Sequence, residues 1–167
     1  WPWEHQALTR ARFCAGDRAI GERFEAIRRD VLARRRDLAR LGEEVVAMRR
    51  KMHDGHPNRS ELFDLKHDRG GMVDIEFLCQ FAVLSMGHDT PELLQWSDNM
   101  RILETLESSA RLPAEECQRL REAYLALRSA AHRASLTRQP ARGRDADFHA
   151  HRKAVIDAWQ RLLEPAA

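Results

Sequence analysis

An all-α fold is what this 167-residue sequence predicts, and three observations carry that expectation. Ala, Leu, Arg and Glu dominate, with one tyrosine and few β-branched residues, a composition that favours helix over strand. Apolar residues recur at helical spacing through most of the chain. The stretch Met72–Met86 carries clearly polar side chains only at Asp74, Glu76, Gln80 and Ser85. A helix that is apolar nearly all round must be buried, and one of about 15 residues is too short to cross a bilayer. The expected architecture is one helical domain over residues 1–167, with about six or seven helices packed around a central buried helix at ~72–86.

Each element has its own justification. Trp3 to about Ala15 reads as the first helix, with Pro2 near its first turn and Gly16-Asp17 ending it. The second runs from about Asp17 to Ala33, with Ile20, Phe24, Ile27, Val31 and Leu32 as its apolar stripe. Arg34-Arg35-Arg36 reads as a solvated connector. Asp37 is placed to cap a third helix through about His53, with Leu38, Leu41, Val45 and Met48 inward. Residues 54–60 form the only long irregular segment, and Phe63 and Leu65 alternate with Asp64 and Lys66, which suits an extended piece. After the central helix, 87–91 turns and Glu92–Gln95 is a short helical turn. Ser97 or Asp98 caps the next helix, which ends near Ala110 with Met100, Ile102, Leu103 and Leu106 inward. Ala114 to about Thr137 is a long helix striped by Cys117, Leu120, Tyr124, Leu127 and Ala131. The last, Asp145 to Leu163, buries Phe148, Val155, Trp159 and Leu162.

Gly70 and Gly71 sit where the central helix begins, and glycine there permits unusual backbone angles and a close approach of other groups. Two readings stay open. In the structural one, Asp74 and Glu76 cap free N–H groups and offset the helix dipole, about 0.3–1 kcal/mol each. Asp74→Asn then costs about 1 kcal/mol or less, and a large loss on Gly71→Ala reports a positive φ at that position. In the functional one, the glycine-lined helix mouth faces an anion such as a phosphate.

Composition bounds the function. Residues 1–56 hold 13 Lys/Arg against 9 Asp/Glu, and the whole chain is +2, too mild an asymmetry to indicate a nucleic-acid binder. Cys14, Cys79 and Cys117 are odd in number, far apart and each on an expected helix, fitting neither a zinc spacing nor a disulfide framework, so a reducing cytoplasm is expected. No transmembrane run or signal peptide is evident. His149 and His151 face different sides of a helix, whereas His53 and His56 approach across a turn. No Walker loop, HExxH or Gly-x-Ser-x-Gly occurs, so no catalytic or metal-ligating residue is expected in this chain.

One stretch is more specific. Asp64-Leu65-Lys66, Asp68, Gly70-Gly71, Asp74-Ile75-Glu76-Phe77 and Gln80 resemble a signature of the bacterial glutamine synthetase adenylyltransferase family. Trp3-Glu4-His5-Gln6-Ala7-Leu8 with Ala11-Arg12 and Gly16-Asp17, and Trp96-Ser97-Asp98-Asn99 with Arg101-Ile102-Leu103, are similar to the same family. The glycine motif is also similar, more loosely, to the helical domain of the uridylyltransferase that modifies the PII signal protein. The resemblance covers essentially the whole chain, and its order and spacing suit the C-terminal helical domain. It implies an enzyme with two nucleotidyltransferase domains, each followed by a helical domain. That enzyme transfers AMP from ATP, with magnesium, to a tyrosine of glutamine synthetase and removes it by phosphorolysis, under control of PII and glutamine. Its catalytic Gly-Ser and Asp-x-Asp would precede Trp1, so the chain is expected to be an excised, non-catalytic domain. Residues 1–56 are expected to adjoin the catalytic domain of the same chain, and 57–167 to form the helical core. Glu4 and Arg12 are the candidates for that interface, Arg12 reaching phosphate or forming an inter-domain salt bridge. Lys66, Gly70, Gly71, Asp74 and Glu76 are the second candidate set, although Lys66 has the alternative of pairing with Asp64 or Asp68 in solvent. Two other classes remain: a module that binds PII or glutamine synthetase without touching nucleotide, and an arginine-rich nucleic-acid binder.

Overall fold

The computed structural model describes residues 2–164; Trp1, the first residue of the opening Trp-Pro-Trp-Glu, and residues 165–167 lie outside the described residues. Seven α-helices occur among them: α1 (Pro2–Arg10), α2 (Arg18–Leu32), α3 (Leu38–Asp54), α4 (Met72–Met86), α5 (Asn99–Ser108), α6 (Ala114–Leu136) and α7 (Asp145–Leu163). A 3₁₀ turn at Pro91–Gln95 links α4 to α5. The only strands among the described residues are β1 (Phe63–Asp64) and β2 (Arg142–Gly143), paired antiparallel with Phe63 opposite Gly143. The fold is all-α.

Helix α4 is the hub. It packs against α1, α3, α5, α6 and α7, and Ile75, Phe77, Leu78, Phe81, Val83 and Leu84 are all buried. Each such side chain contributes roughly 1.5–3 kcal/mol of apolar burial. Around it α6 packs on both α5 and α7, and α2 packs chiefly on α1. Local chemistry starts the helices where the sequence places them. Asp17 accepts from Ala19 N–H, Asp37 from Arg40 N–H and Asp98 from Arg101 N–H, each satisfying a donor that the helix start leaves free.

Four expectations are corrected. Helix α1 ends at Arg10 rather than Ala15, leaving Phe13 and the Cys14 thiol exposed in a loop. The carbonyls of Leu8 and Thr9 are taken by the buried Arg28 guanidinium, and Phe13 turns back over Gly21 of α2, where a Cβ would lie 2.7 Å from its ring. Ile20 and Ile27 face outward on α2, 69% and 53% exposed, because the helix turns Gly21, Arg28 and Leu32 inward instead. Leu38 of α3 is likewise exposed. Arg36 is not a solvated connector: its guanidinium donates to the Leu32, Val31 and Leu84 carbonyls, closing the C-terminal ends of α2 and α4.

Candidate functional site

The double glycine is positioned by the strand that precedes it. Leu65 N–H donates to Ala141 O, extending the β1–β2 pairing and tying the lead-in to the loop before α7. Asp64 Oδ1 accepts from the N–H groups of Lys66 and His67, and Asp68 Oδ2 accepts from Asp64 N–H and Asn58 Nδ2. Both carboxylates therefore serve the turn, and neither forms an ion pair with the exposed Lys66 ammonium. Met72 N–H and Val73 N–H donate to the carbonyls of Leu65 and Lys66 at 3.0 and 3.2 Å. The first donors of α4 are thus satisfied by the chain's own lead-in rather than left open toward an anion.

The two glycines answer different demands. Gly70 adopts φ +82°, and a Cβ there would sit 3.0 Å from Arg152 O on α7. Gly71 has φ −87°, so the positive φ belongs to Gly70. A Cβ on Gly71 would lie 2.9 Å from both Asp68 O and Lys66 O, so its requirement is close approach of backbone.

Asp74 joins this junction to the core. It is 3% exposed; its Oδ1 accepts from Arg49 Nε at 2.5 Å and its Oδ2 from Gly70 N–H at 2.6 Å. Arg49, itself buried, donates from Nη2 to His67 O at 2.7 Å. Burial pushes the Asp74 carboxyl up, while Arg49 and the Gly70 N–H pull it back toward the ionised form. Asp74 caps no N–H of its own helix, contrary to the capping reading. Glu76, one turn-half further, is half-buried and has no hydrogen bond or ion pair among the described residues. A cleft of about 250 Å³ beside Asp74 is bordered by Arg49, Arg50 and Arg69, with Trp159 of α7 and Glu164 just beyond that helix. Its acids are matched: Asp74 with Arg49, and Glu164 with Arg69 at 3.6 Å.

The other candidate set lies elsewhere. Glu4 is exposed on α1 and Arg12 is exposed in the loop beyond it; neither borders the Asp74 cleft. Helix α1 reaches α4 through Gln6 Nε2 and Gln80 Oε1 at 3.3 Å, and α5 through Arg10 Nη1 and Asn99 Oδ1 at 2.9 Å. Arg12 borders a second cleft, of about 350 Å³, with Arg10, Asp98, Asn99, Tyr124 and Arg128. The stretches 3–12 and 96–103 singled out in the sequence are therefore neighbours in space.

Sequence reasoning missed the buried arginines. Arg28, 2% exposed, donates to the Leu8, Thr9, Leu94 and Trp96 carbonyls, and Arg49 anchors Asp74. The available signal was phase: Arg28 lies four residues before Leu32 and Arg49 four after Val45, both on inward faces. His56 stacks on His67, with centroids 4.3 Å apart, rather than on His53. Among the described residues no group of three His, Cys, Asp or Glu could hold a metal ion, and no helix is long and apolar enough to cross a membrane.

Fold and site together define a helical domain built on a buried central helix, entered through a Gly-Gly turn and pinned by a buried Arg–Asp pair. The chain belongs to the family described as GlnD PII-uridylyltransferase, whose model matches residues 37–144. It is also similar to proteins named bifunctional glutamine synthetase adenylyltransferase/adenylyl-removing enzyme. The relative from Pseudomonas syringae pv. tomato is 47% identical over 97% of this chain and 18% of its own length. That from Nitrosococcus oceani is 47% identical over 98% and 17%, and that from Bordetella bronchiseptica 46% over 98% and 18%. The chain thus spans less than a fifth of the curated relatives it matches.

Proposed function

We propose that this chain is the C-terminal helical domain of an enzyme that transfers AMP from ATP, with magnesium, to a tyrosine of glutamine synthetase and removes it by phosphorolysis. The observation that carries the reading is the near-complete match of the chain to a small part of relatives bearing the adenylyltransferase/adenylyl-removing name. The reading assigns metal and adenylyl transfer to a nucleotidyltransferase domain of the same polypeptide. The domain's own task is then to seat that catalytic domain, with PII and glutamine acting on the whole cytoplasmic enzyme.

The outward face of α2 supports this role. Ile20, Phe24, Ile27 and Val31 recur at four, three and four residues, which places them on one stripe. Two are more than half exposed, and an apolar stripe of this kind marks an interaction surface. Glu4 and Arg12 belong to the same end of the chain, and in this reading they face the catalytic domain as well.

The test is a full-length relative carrying Ile20→Asp and Ile27→Asp in this domain's numbering. Adenylylation of glutamine synthetase should fall about tenfold or more, ~1.4 kcal/mol in the barrier. The same substitutions should leave the melting of the 167-residue chain unchanged, and that chain alone should incorporate no AMP. Full activity of the doubly substituted enzyme, or AMP incorporation by the chain alone, would overturn the reading.

A further inference from the structure

The cleft where the end of α1 meets α5 and α6 gathers three arginines around a single acid. Several exposed arginines have a carboxylate: Arg18 with Glu22, Arg40 with Glu44, Arg101 with Glu104, Arg119 with Glu115 and Arg144 with Asp147, at 2.8–3.3 Å. In this cleft Arg10, Arg12 and Arg128 come together from two distant parts of the sequence, and none of them has an ion pair among the described residues. The one acid bordering it, Asp98, is already engaged as the cap of α5, accepting from Arg101 N–H at 3.0 Å. Arg128 lies over the Tyr124 ring, 5.9 Å from its centroid, which leaves its N–H fork unused.

Asn99 adds a buried donor. It is 1% exposed, and its Oδ1 accepts from Arg10 Nη1. Because an arginine only donates, that bond fixes which end of the amide is which. The other end, Nδ2, is buried without a partner, a state that costs about 1–3 kcal/mol. Ser97 and Tyr124 add hydroxyl groups to the same lining. Guanidinium forks match phosphate oxygens two at a time, and a volume of about 350 Å³ accommodates one or two phosphate groups.

We propose that this cleft binds a phosphate-class oxyanion, neutralised by Arg10, Arg12 and Arg128 and accepting a hydrogen bond from Asn99 Nδ2. The oxyanion is free phosphate or pyrophosphate, or the phosphate end of a nucleotide; the chemistry of recognition is shared. The proposal stands on the cleft alone and does not depend on the adenylyltransferase reading.

Orthophosphate, pyrophosphate and ATP are titrated separately into the isotopically labelled 167-residue chain at low ionic strength. The Asn99 side-chain amide and the ring of Tyr124, the one tyrosine of the sequence, report binding by NMR. Saturable shifts at both are expected, weakening as salt is raised. Arg12→Gln and Arg128→Gln, both at exposed positions, should each weaken binding about tenfold without changing the melting temperature. Equal responses to pyrophosphate and ATP identify the free anion as sufficient; a tighter response to ATP identifies a nucleotide's phosphates. No saturable shift with any of the three, or shifts that both glutamine variants retain, overturns the proposal.

Discussion

Arg49 Nε donates to Asp74 Oδ1 at 2.5 Å, inside the protein, while the second Asp74 oxygen receives the N–H of Gly70, a glycine at φ +82°. One carboxylate therefore couples three separate things: helix α3, the first turn of α4 and the left-handed turn that leads into it. Removing the charge leaves a buried guanidinium without its counter-ion. Asp74→Asn is accordingly expected to cost on the order of 3–5 kcal/mol, well above the 1 kcal/mol or less of a cap exchange. Urea unfolding of the purified chain measures it, and a cost below 1 kcal/mol would show that the pair carries little stability. Any loss of enzymatic rate in a full-length relative is interpretable only after that cost is known.

The glycines separate by mechanism. Gly70→Ala and Gly71→Ala should each destabilise by roughly 1–3 kcal/mol, the first through positive φ and contact with α7, the second through collision with the Asp68 and Lys66 carbonyls. Gly42 of α3 is the control, since nothing lies within 4 Å of a Cβ built there. Gly42→Ala should raise stability by about 0.5–1 kcal/mol. Thermal melts of the three variants would expose an error if Gly71→Ala melted with the wild type.

Arg28 holds the end of α1 to the 3₁₀ turn through four carbonyls. Arg28→Met keeps the apolar stem and strips the donors, and the expected cost is on the order of 3 kcal/mol. Lysine has a single ammonium where four fixed directions are needed, so Arg28→Lys should be destabilised too. Recovery of wild-type stability by lysine would show that charge alone, rather than the fork, matters.

Acidification should loosen the turn between β1 and α4, where His67 lies. Burial, reinforced by the charge of His56, holds His67 below the ordinary histidine value; Asp64 acts the other way, and Lys66 and Arg49 add to the lowering. A histidine with a lowered folded pKa binds fewer protons when folded than when unfolded. Stability from this group is therefore present above the unfolded value of about 6.5, declines as the pH falls through it, and levels off once the folded ring is protonated. Melting temperature followed from pH 8 downward should show that decline in the wild type and a flatter profile in His67→Phe, which keeps a ring to stack on His56. Parallel profiles would remove His67 as the source.

Core and surface should diverge along the apolar residues. Phe77→Ala and Phe81→Ala, each 7% exposed in α4, should cost about 3–5 kcal/mol apiece. Ile27→Ala, on the open face of α2, should stay within about 0.5 kcal/mol in the isolated chain. A large loss at Ile27 would mean that α2 is covered in the free chain.

What the sequence determined by itself was everything with a local cause. The limits of α2, α3, α4 and α7 follow from 3.6-residue periodicity, from aspartates at positions 17 and 37, and from glycines and prolines that a helix does not cross. The buried character of α4 was legible because no face of it is polar enough to meet water. Glu4 and Arg12 were visible as candidates and Trp96 to Leu103 as a family-like segment, but not as neighbours around one cleft. Tertiary structure alone decided where α1 stops, since Ala11, Arg12 and Phe13 have no local reason to leave the helix and a distant guanidinium takes the carbonyls of Leu8 and Thr9. It also decided that Phe63–Asp64 pairs with Arg142–Gly143, and that Arg28, Arg36 and Arg49 turn inward while Ile20, Ile27 and Leu38 turn outward. The physical reason is one of range. Caps and periodicity act over a few residues, whereas burying an arginine is favourable only when acceptors 18 to 68 positions away converge on it, as they do on Arg28 and Arg49.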